Sequence, residues 1–225
     1  MKGRIIQTTG SWYQVLVDEK IIAARLKGKF KLDHFDTTNP IAVGDFVSLE
    51  TTEHHEFVIH EIHERTNYII RQSPRNKHQR HIIASNIDLA LLIVTISQPR
   101  TSLGFIDRFI AAAESFHIPV KLVINKIDLL KEKEKQQLEY MQIVYSRLGY
   151  DVICSSTITS EGIDTIKNTL ENKTTLVAGH SGVGKSTLLN AINNELNLKT
   201  GAISEKWGKG KHTTTFATMI KILDN

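Results

Sequence analysis

One cysteine, Cys154, stands in 225 residues. That excludes an internal disulfide framework and a cysteine-built zinc site, and it fits a reducing compartment. Long apolar runs are missing too. The longest, LALLIV from Leu89 to Val94, is far too short to cross a bilayer, and the opening MKGRIIQTTG has no apolar stretch of signal-peptide length. No internal repeat, low-complexity segment or HExxH spacing occurs. His54, His55, His60 and His63 therefore read as surface histidines rather than metal ligands. These absences predict a cytoplasmic chain with no membrane partner.

Apolar residues make up 40% of the chain and charged residues 23%, the balance of a globular protein with a real core. The net charge of +4 is unevenly spread. Residues 1–70 hold 8 Lys+Arg against 10 Asp+Glu, whereas residues 71–225 hold 20 against 14. Two clusters stand out: RQSPRNKHQRH from Arg71 to His81, which has no acid, and KWGKGKH from Lys206 to His212. Such patches attract nucleic acid by neutralising phosphates and releasing counterions; a solvated linker is the alternative. Arg75, Lys77 and Arg80 are the candidate RNA contacts of the first cluster.

The first seventy residues alternate in the manner of short strands. YQVLV, IIAARLKGKFKL, DFVSLE and FVIHEIHE are separated by the turn segments DEK, TTNP and VGD, which predicts a small antiparallel OB-fold barrel over residues 1–72. In ARLKGKFKL, period-two spacing places Arg25, Lys27, Lys29 and Lys31 on one face. That face is either a solvated wall or a surface for nucleic-acid phosphates. From residue 73 to 225 apolar strands alternate with helical stretches, which predicts an α/β domain with a mostly parallel sheet covered on both faces.

Two motifs carry chemistry. Gly179–Ser186, GHSGVGKS, matches GxxxxGK[ST] between a predicted strand and a predicted helix. Its glycines let successive N–H groups of Gly179, His180, Ser181, Gly182, Val183 and Gly184 turn toward phosphate oxygens. The helix opening at Lys185, Ser186 and Thr187 points its positive end at the same anion. Lys185 would reach the β- and γ-phosphates, and Ser186 would ligate Mg²⁺. The second motif, NKID (Asn125, Lys126, Ile127, Asp128), follows a predicted strand, where a doubly wound sheet binds ligands. Asp128 can accept from the ring N–H and exocyclic amine of guanine. Adenine lacks that donor pair, and such sites can reject the wrong substrate by roughly 10⁴-fold. Asn125 would fix the loop, and the stem of Lys126 would lie along the base. Ser155 and Ser156 end the next strand, where backbone N–H groups could meet the guanine carbonyl. Thr213, Thr214 and Thr215 lie downstream, either as a polar strand start or as a Mg²⁺-reaching switch with Thr214 as ligand.

In most small GTPases the phosphate motif precedes the base motif; here the order is reversed. With the VGD turn, the ERTNYIIR exit and GKHTTT, the whole chain resembles the circularly permuted GTPases of small ribosomal subunit biogenesis, the RsgA family. The resemblance implies GTP/GDP with Mg²⁺, hydrolysis stimulated by the 30S subunit during its late maturation, contacts with 16S rRNA, and a monomer. It assigns His212 as the catalytic residue orienting the attacking water. The chain stops at KILDN, where the family would continue into DxPG and a small zinc-binding domain. The reading is therefore of a chain truncated before both, with zinc expected only in the missing domain. An ATP-using P-loop enzyme, and an RNA-binding module with a structural guanine nucleotide, are the alternatives.

Overall fold

The computed structural model describes residues 1–27, 40–72, 80–199 and 217–223. They form two compact units. The first takes Met1–Ile87 with Thr213–Ile220, and the second takes Asp88–His212 with Lys221–Asn225.

The first unit is an OB-like closed barrel built of β1 (Lys2–Thr9), β2 (Trp12–Val17), β3 (Lys20–Leu26), β4 (Phe46–Thr51) and β5 (Phe57–Ile62), in the order β1-β2-β3-β5-β4. Alternation dictates the wall. Tyr13 and Val15 of β2 point inward to Ile5, Ala24, Val47, Leu49 and Ile59, while Trp12, Gln14 and Leu16 face outward. Asp18 and Glu19 both take positive φ, the backbone that a two-residue hairpin between twisted strands requires.

Beyond the barrel, β6 (Tyr68–Gln72) and β7 (Arg80–Ser85) pair as an antiparallel hairpin. The basic stretch expected to be a linker thus begins and ends in strands; its middle, residues 73–79, lies outside the described residues. Sequence patterning put the domain division after residue 72, inside this hairpin. The compact units instead divide after Ile87, because the ladder holds β7 to β6. Hydrogen bonds also fasten β7 to the VGD turn. Asp45, fully buried, accepts Arg65 Nε and Nη2 at 2.6 Å each, Ser85 Oγ at 2.6 Å and Ala42 N at 2.8 Å. A buried carboxylate is tolerated only with such complete pairing. Near the far end of the chain, Thr218 bridges to Gln7, and Met219 N donates to Ile6 O at 2.8 Å.

The second unit alternates β8 (Leu89–Val94), α1 (Leu103–Glu114), β9 (Val120–Asn125), α2 (Glu132–Arg147), β10 (Asp151–Ser155), α3 (Ile163–Leu170), β11 (Thr175–Ala178) and α4 (Lys185–Ile192). Among the described residues its four strands are all parallel, in the order β10-β9-β8-β11. Every residue of β8 is buried, as a strand covered on both faces must be. On one face Leu91, Ile93, Val123 and Ile153 pack with Ile166, Leu170, Leu188 and Ile192 of α3 and α4. Successive strands proceed from β8 to β9 to β10 in one direction, and β11 then enters on the other side of β8. The order reverses between β8 and β11, and the crevice at the carboxyl ends of strands flanking such a reversal is where open α/β sheets bind ligands. Among the described residues no helix is long and apolar enough to cross a membrane.

Candidate functional site

Three loops meet at that crevice. The first, after β11, is the phosphate-type arc. Gly179 has φ 146°, and a Cβ on it would stand 2.2 Å from Ile93 O at the end of β8. Gly184, with φ 94°, is the residue before α4, and a Cβ there would meet Asn125 Nδ2 at 2.6 Å. Any side chain at either place would push the arc off the sheet. From the first turn of α4 Lys185 turns back, and its Nζ donates to Gly179 O at 2.9 Å and His180 O at 2.8 Å. Burial pushes its amine below the ordinary lysine range, because half-burial penalises the charged form. Ser186 and Thr187 follow in the same turn.

The second loop is NKID. Asn125, 2% exposed, donates from Nδ2 to Val183 O at 2.9 Å and accepts from Ser155 Oγ at 3.0 Å. Lys126 takes φ 63° and bridges two carbonyls, Gln98 O and Gly182 O, at 2.8 Å each. Ile127 opens a short 3-10 turn. The third loop follows β10. Ser156 Oγ donates to Asp128 Oδ1 at 2.6 Å and accepts from Ile158 N at 3.1 Å and Thr159 N at 3.2 Å.

This last arrangement gives the two serines a role through their side chains, beside the one expected of the loop's backbone. Ser156 N–H is committed to Glu161 O at 3.1 Å, and Ser155 lies in the β10–β9 ladder. Both serve through their hydroxyls, as braces on Asn125 and Asp128. The structure also adds residues without a motif. Thr95 Oγ1 donates to Pro99 O, Thr95 N to Thr101 Oγ1 at 3.2 Å, and Thr101 N to Thr95 O at 2.9 Å. Together these bonds fold the segment after β8 into a corner that presents Gln98 O to Lys126. Phe105 stacks on His180 with ring centroids 3.9 Å apart. The position of TISQPRTS, directly after an apolar strand at the ligand end of the sheet, was the available signal.

The donor set fits a polyphosphate with a hard cation. Its glycines bring the arc's backbone close against the sheet, a lysine stands over it, and the Ser186 hydroxyl is a hard oxygen ligand. An acceptor carboxylate, Asp128, faces solvent on the same edge of the sheet.

His212 and Thr214 lie outside the described residues, as do Lys29, Lys31, Arg75 and Lys77; Arg80 is described only as the start of β7. Arg25 and Lys27 are described, and each faces an acid. Arg25 lies 3.7 Å from Glu56 and 4.1 Å over the Trp12 ring, while Lys27 pairs with Glu50. Lys27's hydrogen bond holds the Glu50 carboxyl below the usual carboxylate range. The anticipated cationic face is therefore partly matched by acids from β4 and the β4–β5 turn. Pairs this exposed are weak and exchange readily with other anions.

Comparison with known proteins bears on both units. The family model for the RsgA GTPase matches residues 62–225, and that for the RsgA N-terminal domain matches residues 2–59. The chain is 45% identical over 223 residues to the small ribosomal subunit biogenesis GTPase RsgA of Bacteroides fragilis, covering 99% of this chain and 72% of the relative. It is 47% identical over 223 residues to RsgA 2 of Bacteroides thetaiotaomicron, with the same coverage. Among solved structures it resembles YjeQ from Thermotoga maritima, with TM-score 0.71 and 33% identity over 89% of this chain and 67% of that one. It also resembles YloQ, described as a circularly permuted GTPase, with TM-score 0.64 and 31% identity over 86% and 64%.

Proposed function

The chain belongs to the RsgA GTPase family, and on that premise we propose that it binds GTP and hydrolyses it to GDP and phosphate while assisting maturation of the small ribosomal subunit. The observation that carries the site reading is the buried Asn125 side chain. It reaches across 58 positions of sequence to Val183 O and so locks the base-reading loop to the phosphate loop. A base recognised by Asp128 is thereby held in fixed relation to phosphates on the arc.

In this reading Asn125, Lys126, Ile127, Asp128, Ser155 and Ser156 form the guanine slot. Asp128 takes the guanine donors, and Ser156 fixes its carboxylate so that one oxygen stays free for the base. The arc from Gly179 to Gly184, with Lys185, Ser186 and Thr187, wraps the phosphates. Ser186 and Thr214 would hold Mg²⁺, which neutralises phosphate charge when bound. His212 would orient the water whose oxygen bonds to the γ-phosphorus as the bond to the β-phosphate oxygen breaks. Phosphoryl transfer asks of the protein mainly positioning and electrostatic stabilisation. Lys185 suits that role: its ammonium already lies beside the arc, and an anion there would favour its charged form.

Arg25, Lys27, Lys29, Lys31, Arg75, Lys77 and Arg80 would contact 16S rRNA in the 30S subunit. We place the protein in the cytoplasm as a monomer, and we place zinc on none of these 225 residues. Calorimetric titration with GDP and with ADP, each with Mg²⁺, tests the guanine site; equal affinities would overturn it. GTP turnover measured with and without purified small subunits tests the enzymatic role, and a rate indifferent to the subunits would overturn it.

A further inference from the structure

We propose that Phe105 is a positioning residue for the phosphate loop, holding His180 and through it the arc in the open form that an anion requires. The inference rests on the reading of that arc as a phosphate site. Phe105 sits in the first turn of α1, and its ring lies 3.9 Å from the His180 ring, centroid to centroid, with planes tilted by 34°. The turn itself is fixed. Ser102 caps it, accepting Phe105 N at Oγ (3.3 Å) and at its carbonyl (3.0 Å), so the ring is presented from a rigid support.

The same β8–α1 segment meets the arc a second time, two residues on. Lys126 ties Gln98 O to Gly182 O, and a Cβ on Gly182 would touch the Pro99 ring at 3.4 Å. The arc is thus held from outside at its second and fourth residues. From inside it is held differently: Lys185 Nζ engages the carbonyls of Gly179 and His180. A bound phosphate must take that ammonium over, and the two carbonyls then lose their cation. At that moment the outer supports, with Asn125 on Val183 O, keep the backbone in place. A stack that persists through the exchange spares the loop a reorganisation, and preorganisation of this kind appears as affinity.

Aromatic pairs of this kind correspond to roughly two- to tenfold in an equilibrium constant. The test is a double-mutant cycle on nucleotide affinity with Phe105→Leu, His180→Ala and the double variant, with Phe105→Tyr as the conservative control. Each single variant is expected to weaken binding by that factor, the double to be no worse than the weaker single, and Phe105→Tyr to bind as the parent does. In Phe105→Leu the KM for GTP is expected to rise with kcat unchanged, a split that loss of fold stability would not produce. Losses that multiply in the double variant, or a Phe105→Leu protein that binds as tightly as the parent, would overturn the proposal.

The parent's preference for GDP over ADP tests the guanine reading separately, and the cycle is run on whichever nucleotide binds. In the ligand-free chain, ring-current shifts of the His180 imidazole protons should vanish in Phe105→Leu. Unchanged shifts would refute the stack whether or not any nucleotide binds.

Discussion

Replacing Asp128 with asparagine changes one atom of the proposed base reader, and the structure fixes which one. Ser156 Oγ donates to Asp128 Oδ1 at 2.6 Å, a bond an amide oxygen can keep. The amide nitrogen of asparagine is then placed where the carboxylate offered its second oxygen. Facing guanine, that nitrogen meets a donor with a donor. One charge-assisted hydrogen bond is lost, worth about 1.5–3 kcal/mol, so GDP affinity should fall roughly 10- to 150-fold. A purine carrying a carbonyl where guanine carries its exocyclic amine would find the new donor complementary, so xanthosine diphosphate should bind more tightly to the variant than to the parent. Titration calorimetry of both proteins with both nucleotides measures the exchange, and circular dichroism checks that the fold is kept. GDP binding unchanged in Asp128→Asn, with no gain for the xanthine nucleotide, would show that Asp128 does not touch the base.

Gly184→Ala places a Cβ 2.6 Å from Asn125 Nδ2 at a φ of 94°; nucleotide affinity should drop at least tenfold while the barrel unit is unaffected, read by calorimetry and by near-ultraviolet circular dichroism. Asp45→Ala leaves the guanidinium of Arg65, 12% exposed, without its partner, and breaking a buried pair in this way costs about 3–5 kcal/mol. A denaturant midpoint equal to that of the parent would refute the network's role. Burial lowers the pKa of Lys185 from the ordinary 10.5, so between its folded value and 10.5 the unfolded chain binds more protons at this residue. Its contribution to ligand-free stability therefore rises with pH across that window. Urea titrations at about pH 8 and about pH 10 should show a shallower rise for Lys185→Met than for the parent, and equal slopes would remove the burial argument.

The two motifs were legible because each residue type in them answers a local demand: glycine for positive φ at 179 and 184, and a lone carboxylate in a loop after a buried strand at 128. The alternation of β2 and the unbroken apolar run of β8 gave the barrel and the parallel sheet for the same reason. What the sequence could not give were partners distant along the chain. The hydroxyls of Ser155 and Ser156 find Asn125 and Asp128 thirty and twenty-eight positions away, so their role as braces depends on the register of β10 against β9. Arg25 and Lys27 read as free cations because Glu56 and Glu50 come from the far side of the barrel's closure. The hairpin of β6 and β7 was hidden by charge: a run of basic residues reads as a solvated linker, whereas the ladder that starts at Tyr68 and Ser85 continues into that run at Arg71–Gln72 and Arg80–His81.

The position of β11, last in the chain of the four described strands of this sheet yet partnered with the first, sets a timetable for the growing polypeptide. The proposed base-reading loop leaves the translating machinery about fifty residues before the proposed phosphate loop does, an interval of roughly 3 to 10 s at ordinary elongation rates. Through that interval β8, β9 and β10 can assemble in the order they emerge, but the edge of β8 stays open and no nucleotide can be held. Closing it requires pairing across more than eighty positions, the slowest kind of contact to form. On the proposed reading of the two loops, a chain built in this order cannot engage GTP before β11 has paired with β8, so nucleotide occupancy would report that this pairing has formed.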